Sequence, residues 1–423
     1  MDTCGPSRRA AGRSPQVRPW RPRVALYSHD TVGLGHTRRN LLIAQALAAP
    51  PCQATILLVC GAREACSFAL PEGVDCLTLP ALSKDTGGRY ASRRLNLPLS
   101  RLVDLRAEAI RAALVAFGPE VLIVDKVPRG ALGELDPTLA DLRASGQTRC
   151  VLGLREVLDD PTAVREEWWR DGNEAAIGAY YDAVWVYGDP RVYDPVREYQ
   201  LGPEVKSKVR YTGYLDQSRR LELEGGASVP PEWPSASSGR LILCLLGGGQ
   251  DGQELAEAFA GAGLPPDSDG VLLLGPYLPP EARRRAHEAA AQCPRLTVLD
   301  FLAEPAALLR RADRVIAMGG YNTVCEVLSF QKHALIVPRV KPRTEQLIRA
   351  ERLCELGLVH VLSPDRLTPQ ALTDWIARDL EPLPPVRERM DFDGLSRLPA
   401  LLREVLTVVP RSLDRGWSQS YAS

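Results

Sequence analysis

From Val24 onward, short apolar runs alternate with longer amphipathic runs along the chain. This alternation is typical of parallel β-sheets covered by helices, because the strands are buried on both faces and the helices on only one. The first half contains predicted strands at 24–28, 54–60, 121–124, 150–154 and 183–187, and predicted helices at 41–48 and 102–117. The polar segment 82–99 is predicted to be a long loop. This half is therefore predicted to form a doubly wound α/β domain.

The periodicity is lost between residues 215 and 239, where glycine, proline and serine accumulate, and then it resumes. The second series has predicted strands at 241–246, 271–274, 296–299, 314–317, 334–337 and 359–362, and a predicted helix at 345–356. We therefore predict an α/β protein with a disordered basic tail (1–21), an N-terminal Rossmann-like domain (22–215), a linker (216–239), a C-terminal Rossmann-like domain (240–380) and a helical tail (381–423) able to cross back to the first domain. Open parallel sheets bind ligands beyond the carboxyl ends of their strands, so the binding motifs are expected to face the cleft between the domains.

The composition of the 423-residue chain narrows the functional class. Lys+Arg and Asp+Glu both total 52, so no net positive field favours a nucleic acid as partner. No apolar run reaches the ~18 residues that a membrane-spanning helix requires, and a soluble, cytoplasmic protein is expected. A peripheral membrane contact stays open, without an apolar patch that supports it. The ten cysteines include no C-x-x-C pair, and we expect reduced thiols and no metal site.

A glycine-containing turn follows the first predicted strand. Gly33 and Gly35 precede an amphipathic helix, and a helix start of this kind presents free N–H groups to a phosphate or a polar acceptor. A dinucleotide-binding fingerprint needs a third glycine where this chain has Arg38, so NAD binding is disfavoured. His36 is a candidate general base, because its unperturbed pKa is near neutrality. The alternative is a histidine that only binds the substrate or the loop.

Two further glycine-containing turns occur in the second half. Gly247, Gly248 and Gly249 follow the strand at 241–246, and they permit a diphosphate to approach the backbone closely. Gly319 and Gly320 end the strand at 314–317 and begin another helix, where bare amide hydrogens are again expected to face phosphate. The alternative for each turn is a tight connection without a ligand.

Polar side chains beyond these turns extend the candidate donor site. Glu326 lies about one and a half helical turns after the glycines, where its carboxylate is expected to accept hydrogen bonds from ribose hydroxyls. Glu345 and Gln346 offer hydrogen-bonding groups to sugar hydroxyls, and Arg339 and Arg343 offset the charge of a diphosphate. A solvated surface position is the alternative for each of them.

Together, these motifs resemble the GT-B glycosyltransferases, particularly the MurG-like group that includes the peptidoglycan N-acetylglucosaminyltransferase. The resemblance is carried by residues 319–326, by the apolar strand and proline at 334–338, and by Glu345 and Gln346. It implies two Rossmann-like domains facing a central cleft in a bacterial hexosyl- or N-acetylhexosaminyltransferase. Such an enzyme moves a sugar from a UDP-sugar, or another NDP-sugar, to a hydroxyl of a small-molecule, glycan or natural-product acceptor, with inversion and without a metal. The nucleotide sugar is a co-substrate, and no cofactor is implied.

The resemblance also implies roles for individual residues. His36 is the expected base. The expected donor-binding residues are Gly247, Gly248, Gly249, Gly319, Gly320, Tyr321, Asn322, Thr323, Glu326, Arg339, Arg343, Glu345 and Gln346. The expected acceptor-binding residues are Asp30, Gly33, Gly35, Arg38 and Asp125. MurG-type enzymes carry two glutamines where this chain has Glu345 and Gln346, so a different donor sugar is expected.

Two other functions stay open at this point. A nucleotide-sugar 2-epimerase has the same architecture but acts on the donor sugar alone. A noncatalytic partner protein would bind the sugar nucleotide without turnover. Arg155 and Glu156 follow the strand at 150–154 at the edge of the cleft and are candidate acceptor contacts, with surface ion pairs as their favoured role.

Overall fold

Two parallel β-sheets covered by helices make up the computed structural model, which describes residues 21–30, 35–62, 68–84, 89–222, 239–302 and 304–407. The predicted tail up to residue 20, Gly33 and most of the predicted linker lie outside the described residues. The strands are β1 (Arg23–Ser28), β2 (Thr55–Cys60), β3 (Val74–Thr78), β4 (Leu82–Lys84), β5 (Tyr90–Ser92), β6 (Val121–Asp125), β7 (Arg149–Arg155), β8 (Ala183–Tyr187), β9 (Val209–Tyr211), β10 (Arg240–Leu245), β11 (Ser268–Leu273), β12 (Leu296–Leu299), β13 (Arg314–Ala317), β14 (His333–Ile336) and β15 (His360–Val361).

The helices connect successive strands and cover both faces of each sheet. They are α1 (Gly35–Ala48), α2 (Leu99–Phe117), α3 (Asp136–Ser145), α4 (Pro161–Arg170), α5 (Asn173–Tyr180), α6 (Pro195–Glu198), α7 (Pro203–Lys208), α8 (Gln253–Ala260), α9 (Pro280–Gln292), α10 (Ala306–Arg311), α11 (Tyr321–Ser329), α12 (Glu345–Glu355), α13 (Pro369–Ala377), α14 (Val386–Arg389) and α15 (Gly394–Thr407). Short 3₁₀ helices occur at Gln217–Glu222 and Pro364–Arg366. Local sequence sets many of these ends: Asp160 caps α4 by accepting from two backbone amides, and Gly118 ends α2 in the left-handed conformation.

Each sheet reverses its strand order next to its first strand. The first sheet has the order β3-β2-β1-β6-β7-β8-β9 and the second has β12-β11-β10-β13-β14-β15, with parallel pairing throughout. The reversal lies between β1 and β6 in the first sheet and between β10 and β13 in the second. Connections leave such neighbouring strands in opposite directions and open a crevice beyond their carboxyl ends. Each domain therefore contributes one crevice to the interdomain cleft.

The apolar pattern identified most strands correctly and missed four short ones. All eleven strands predicted from it are confirmed, with ends that shift by up to three residues. The predicted loop at 82–99 is wrong in part, because β4 and β5 form an antiparallel hairpin there. The edge strands β3 and β9 were also missed. These four strands are at most five residues long and largely half-buried, so they lack the continuous apolar run by which a central strand is recognised.

Aromatic packing joins the two domains behind the cleft. Tyr214 stacks on Tyr321 of α11, with ring centroids 6.2 Å apart, and on Phe392, at 5.7 Å. The hydroxyl of Tyr321 donates a hydrogen bond to the Tyr187 carbonyl of the first domain at 2.9 Å. The C-terminal helix α15 then packs against α1, so the end of the described chain returns to the first domain.

A buried ion pair crosses the interface beside this aromatic cluster. Arg349 of α12 donates to Glu156, which follows β7, with an Nε to Oε1 distance of 2.8 Å. Both residues are at most 1% exposed, and the guanidinium also donates to the carbonyls of Gly319 and Val157. The expectation that Glu156 forms a surface ion pair is therefore wrong. Glu156 follows a central strand at the edge that the second domain covers. The sequence of the first domain alone does not show that the second domain buries this residue.

Replacing Arg349 by methionine is expected to lower the free energy of unfolding by about 3 kcal/mol, because Glu156 then stays buried without its cation. Arg352→Met is the matched control, since Arg352 lies exposed on the same helix. Its effect is expected to stay below about 1 kcal/mol. Urea unfolding followed by tryptophan fluorescence measures both. Equal effects of the two substitutions would show that the interdomain pair contributes no more than a surface pair.

Candidate functional site

A cavity of about 220 Å³ lies in the interdomain cleft, where the crevices of the two sheets meet. The first domain contributes Gly35, His36, Arg38, Arg39 and Arg155. The second domain contributes the turn after β10, the start of α11 and parts of the segments after β11 and β14. The cavity therefore combines the N-terminal turn with both C-terminal turns that the sequence singled out.

The turn after β10 presents backbone amides to this cavity. Gly247 and Gly249 have φ values of +63° and +85°, a conformation that favours glycine. A side chain at Gly249 would also meet the Leu274 carbonyl oxygen at 2.5 Å. Within the described part of the chain, the N–H groups of Gly247 and Gly248 have no acceptor. The turn thus offers two amides to a ligand. The third glycine, Gly249, allows the turn to pack closely against the end of β11.

The two glycines before α11 differ in role. The Gly319 amide donates to the side-chain oxygen of Gln346 at 3.0 Å, and a side chain at Gly319 would meet Gln346 atoms at 3.0–3.1 Å. The expectation of a bare amide at Gly319 is therefore wrong, because the start of α12 packs onto it. Gly320 lines the cavity, its amide has no acceptor among the described residues, and an added Cβ would meet nothing within 4 Å. Gly320 and the first turn of α11 leave donors open to the cavity.

Glu326 lines the cavity while one of its oxygens is fixed by an arginine. Its Oε1 accepts a hydrogen bond from Arg220, which also pairs with Glu304 at 2.6 Å. Glu326 Oε2 has no hydrogen bond with any described residue, and Glu326 is 3% exposed. One carboxylate oxygen is therefore anchored, and the other is available to a ligand. No sequence pattern points to Arg220, which lies near the start of the predicted linker, outside any periodic segment.

On the side of the cleft formed by the first domain, a buried carboxylate holds His36 in place. Its Nδ1 contacts Asp125 at the carboxyl end of β6, and Arg39, one helical turn further along α1, binds the same carboxylate through Nε at 3.0 Å and Nη2 at 2.7 Å. Because a carboxylate only accepts hydrogen bonds, Nδ1 carries the proton. The second nitrogen, Nε2, has no hydrogen-bond partner among the described residues, and His36 lines the cavity. The imidazole is thus in the tautomer that accepts a proton at Nε2.

The charges around His36 favour a neutral imidazole beside an ionised carboxylate. Burial lowers the pKa of His36, and Asp125 opposes that shift. Burial by itself raises the pKa of Asp125, but Arg39 and His36 outweigh it and keep that pKa well below its usual range. A neutral base oriented by a permanently charged carboxylate is the arrangement required for general-base chemistry near neutral pH.

Several expected ligand contacts prove to be internal contacts. Asp125 is fully buried under His36 and Arg39, and Asp30 accepts hydrogen bonds from Ser28, from the Thr37 amide at the start of α1 and from the Gly61 amide. Both side chains are therefore unavailable to an acceptor. Of the other expected acceptor residues, Gly35 and Arg38 line the cavity beside the C-terminal domain, and Gly33 lies outside the described residues.

Two of the expected donor contacts also require correction. The carboxylate of Glu345 pairs with Arg155 and Arg339, each at 3.1 Å, and is absent from the cavity lining. Burial opposes its ionisation, but neighbouring cations, led by Arg155, lower the pKa of Glu345 to about 2. Arg343 faces away from the cavity and pairs with Glu167 at 2.8 Å. The local sequence does not show these partners, because each belongs to a distant segment.

The remaining donor candidates lie at the cavity wall. Arg339 pairs with Asp251 at 2.8 Å, and the Gln346 oxygen accepts from two backbone amides. Asn322 donates to the Gly35 carbonyl across the domain interface at 2.6 Å. The other cavity-lining candidates are Tyr321, which is almost completely buried, and Thr323. Arg155, a candidate acceptor contact for which a surface ion pair was the favoured role, also lines the cavity.

Neither a metal site nor a membrane span is found in the part of the chain that the structure describes. No group of three or more His, Cys, Asp or Glu residues there is arranged to bind a metal ion. No described helix has the length and apolar character needed to cross a bilayer.

Comparisons with known proteins agree with this geometry. Residues 268–392 match the family model of the glycosyltransferase family 28 C-terminal domain. This range includes the turn before α11 and the segment before α12. An uncharacterized glycosyltransferase of Methanosarcina acetivorans is 26% identical over 164 residues, which is 38% of this chain and 39% of the relative. The match thus spans about two-fifths of the relative's length.

Solved structures with this fold match most of the chain at low identity. The calicheamicin glycosyltransferase CalG4 has a TM-score of 0.57 at 16% identity and covers 91% of this chain and 98% of its own. MnaA of S. aureus, solved with UDP, has a TM-score of 0.62 at 12% identity, with 92% and 98% covered. MurG of Acinetobacter baumannii has a TM-score of 0.54 at 12% identity, with 92% and 100% covered. The chain therefore has the GT-B fold, an α/β fold with two Rossmann-like domains facing a cleft.

The pairing of His36 with Asp125 is testable by NMR, because the chain contains only five histidines. We expect the His36 ring protons to titrate below the ordinary midpoint of about 6.5. Asp125→Asn is expected to lower that midpoint further, since it removes the anion that favours the imidazolium and leaves Arg39 in place. His36→Gln identifies the resonance, and Asp141→Asn on the exposed side of α3 is the control. A midpoint that rises in Asp125→Asn would contradict the arrangement.

Proposed function

We propose that this protein is a glycosyltransferase that moves a sugar from a nucleotide-sugar donor to a hydroxyl group of an acceptor. The observation that carries the proposal is the cavity in which free backbone amides of the C-terminal domain face a carboxylate-oriented histidine of the N-terminal domain. The match of residues 268–392 to a glycosyltransferase C-terminal domain supports it.

The donor diphosphate is assigned to the C-terminal side of the cavity. The amides of Gly247, Gly248 and Gly320, together with the first turn of α11, form two sets of donors for its oxygens. Glu326 Oε2 would accept hydrogen bonds from the ribose, while Arg220 holds the other oxygen in place. Thr323, Arg339 and Gln346 at the cavity wall would contact the diphosphate and the sugar.

The chemical step is assigned to His36. Its Nε2 would take the proton of the acceptor hydroxyl while the acceptor oxygen forms a bond to the anomeric carbon of the donor. The bond between that carbon and the diphosphate oxygen breaks, and the nucleoside diphosphate departs with the bonding electrons. Asp125 stabilises the imidazolium that forms, and the amides at Gly247, Gly248 and Gly320 stabilise the charge developing on the departing group. A single displacement of this kind inverts the anomeric configuration and needs no metal.

The similar proteins support a narrower proposal for the nucleotide and the sugar of the donor. The MurG-like pattern in residues 319–326 and the UDP bound in MnaA favour UDP as the nucleotide of the donor. Glu345 stands at the position of the first of two glutamines in MurG-type enzymes, and its carboxylate is paired with Arg155 and Arg339. Gln346 is then the one side chain of this pair that lines the cavity, which favours a sugar other than N-acetylglucosamine.

Epimerisation of the donor is the second candidate function. A putative UDP-N-acetylglucosamine 2-epimerase of Listeria monocytogenes has a TM-score of 0.58 at 14% identity and covers 92% of this chain and 97% of its own. The two reactions differ in their need for an acceptor. A noncatalytic partner protein would bind the donor and produce neither product.

Product analysis separates these functions. The full chain is incubated with a panel of UDP- and dTDP-sugars, with and without an extract of small-molecule acceptors, and the products are identified by mass spectrometry. We expect nucleoside diphosphate and a glycosylated acceptor to appear together, and only when acceptor is present. Conversion of the sugar nucleotide to an epimer without acceptor would replace the proposal by epimerisation. Donor binding without any product would favour the noncatalytic protein.

His36→Gln is expected to lower kcat by about 100-fold or more and to change donor affinity little, because the base acts on the acceptor. His287→Gln, on the exposed face of α9, is the matched control and is expected to keep full activity. Initial rates and donor titrations measure both quantities. Equal losses in kcat and donor affinity would instead assign His36 to binding.

Glu326→Gln is expected to weaken binding of the nucleoside diphosphate by about 1–3 kcal/mol, because the contact with the ribose loses its charge. Glu351→Gln, on the exposed face of α12, is the control. Isothermal titration calorimetry with UDP measures the change. An unchanged affinity in Glu326→Gln would remove Glu326 from the donor site.

A further inference from the structure

A second, smaller cavity of about 40 Å³ lies on the first domain's side of the cleft. It is enclosed by the loop after β6, by α4 with the start of α5, and by Arg343 of the second domain. Its lining shares no residue with the larger cavity. The guanidinium of Arg155, which lines the larger cavity, lies near the Lys126 side chain of the small one, and Lys126 directly follows Asp125, the partner of His36.

Two polar side chains in this cavity have no partner within the described part of the chain. The Lys126 ammonium makes no hydrogen bond or ion pair there, and neither does the amide group of Asn173, which is only 4% exposed. Polar groups that are withdrawn from water, as the half-buried Lys126 and the buried Asn173 are, are costly to leave without a partner. Two of them lining one small cavity therefore point to a ligand that pairs with both.

The other charged groups around this cavity already have partners. Arg343 pairs with Glu167 at 2.8 Å and with Asp159 at 3.4 Å, and Asp171 pairs with Arg170 at 3.0 Å. Among the described residues that line the cavity, the charge left without a partner is the positive charge of Lys126. Leu158, Val164 and Trp168 supply apolar walls, each buried.

Lys126 is also held in an uncommon backbone conformation. Its φ is +72°, in the left-handed region that non-glycine residues seldom adopt. Burial and the nearby guanidinium of Arg155 lower the pKa of Lys126 to about 7. An anion beside the ammonium would offset the effects of burial and of Arg155 on the pKa. Strained backbone of this kind is concentrated at functional sites.

We propose that the small cavity binds the carboxylate of the acceptor, with Lys126 and Asn173 as its two hydrogen-bond donors. This proposal rests on the proposed glycosyl transfer for the role of the ligand as acceptor. A space of about 40 Å³ accommodates a group of a few heavy atoms and not a whole acceptor. One free cation next to the carboxylates of Glu167 and Asp171 matches a monoanion better than a phosphate dianion. The apolar walls would contact the carbon atoms that carry the carboxylate.

The location of the cavity explains how it would serve the reaction. A carboxylate anchored at Lys126 would direct the rest of the acceptor past Arg155 toward the larger cavity, which His36 lines. The substrate class is then a hydroxy acid, with its carboxylate in the small cavity and its hydroxyl directed to the base. The lysine would act in binding and orientation, and the histidine in proton transfer.

The test uses fluorine NMR of three probes with the full chain: 4-fluorobenzoate, its neutral isostere 4-fluorobenzamide and 4-fluorophenyl phosphate. We expect the benzoate to bind at least about tenfold more tightly than the amide. Lys126→Met is expected to remove that preference, whereas Lys126→Arg retains most of it because the charge stays. Lys206→Met, an exposed lysine of the same domain, is the control and is expected to behave as wild type.

Asn173→Leu provides a second variant, which is expected to fold because it removes a buried unpaired amide. We expect it to weaken benzoate binding severalfold. Equal binding of benzoate and benzamide, absence of benzoate binding, tighter binding of the phosphate, or an unchanged preference in Lys126→Met would each overturn the proposal. UDP binding is measured in parallel for every variant. If the wild type does not bind UDP, the proposed glycosyl transfer is contradicted. If the wild type binds UDP but shows no preference for the carboxylate probe, only the carboxylate site is contradicted.

Discussion

The buried pair of Arg349 and Glu156 is the constraint on which the geometry of the cleft depends. An ion pair this deeply buried tolerates little displacement, because separating its members leaves a charge without water or a partner. Arg349 also binds the carbonyls of Gly319 and Val157, so it ties α12, the turn before α11 and the end of β7 together. These are the segments that face each other across the cleft. The position of the turn before α11 relative to His36 is thus set by a contact that lies outside the cavity.

Most of the charged side chains around the cleft serve to position others. The carboxylate of Asp125 binds Arg39 and His36, and the carboxylate of Glu345 binds Arg155 and Arg339. One oxygen of Glu326 binds Arg220. Among the described groups that have no hydrogen-bond partner, several lie where a ligand would need them. They are Glu326 Oε2, His36 Nε2, the amides of Gly247, Gly248 and Gly320, and the side chains of Lys126 and Asn173. This distribution fits a preorganised site, in which buried contacts fix the groups that act on substrates.

The sequence predicted the central strands and the glycine-containing turns because these depend on local patterns. A buried parallel strand must be apolar throughout, and a turn at Gly247 or Gly249 requires a residue that adopts positive φ. The edge strand β3 and the hairpin of β4 and β5 were missed, because half-buried strands carry mixed residues. For the candidate site, the sequence placed His36 at the start of one helix and Glu326 about one and a half turns after the glycines that precede another. It assigned Asp30 and Asp125 to ligand contact, although both are enclosed by hydrogen bonds within the first domain.

By itself, then, the sequence determined the α/β class, the division into two domains and the turns that carry the candidate chemistry, because each of these follows from residues close together in the chain. Tertiary structure alone decided which polar groups remain available. Arg220 reaches Glu326 across 106 positions, and Arg155 reaches Glu345 across 190. The small cavity around Lys126 likewise forms only when α4, the loop after β6 and Arg343 come together. Pairing at such separations depends on the packing of the two domains, and no local pattern of residues records it.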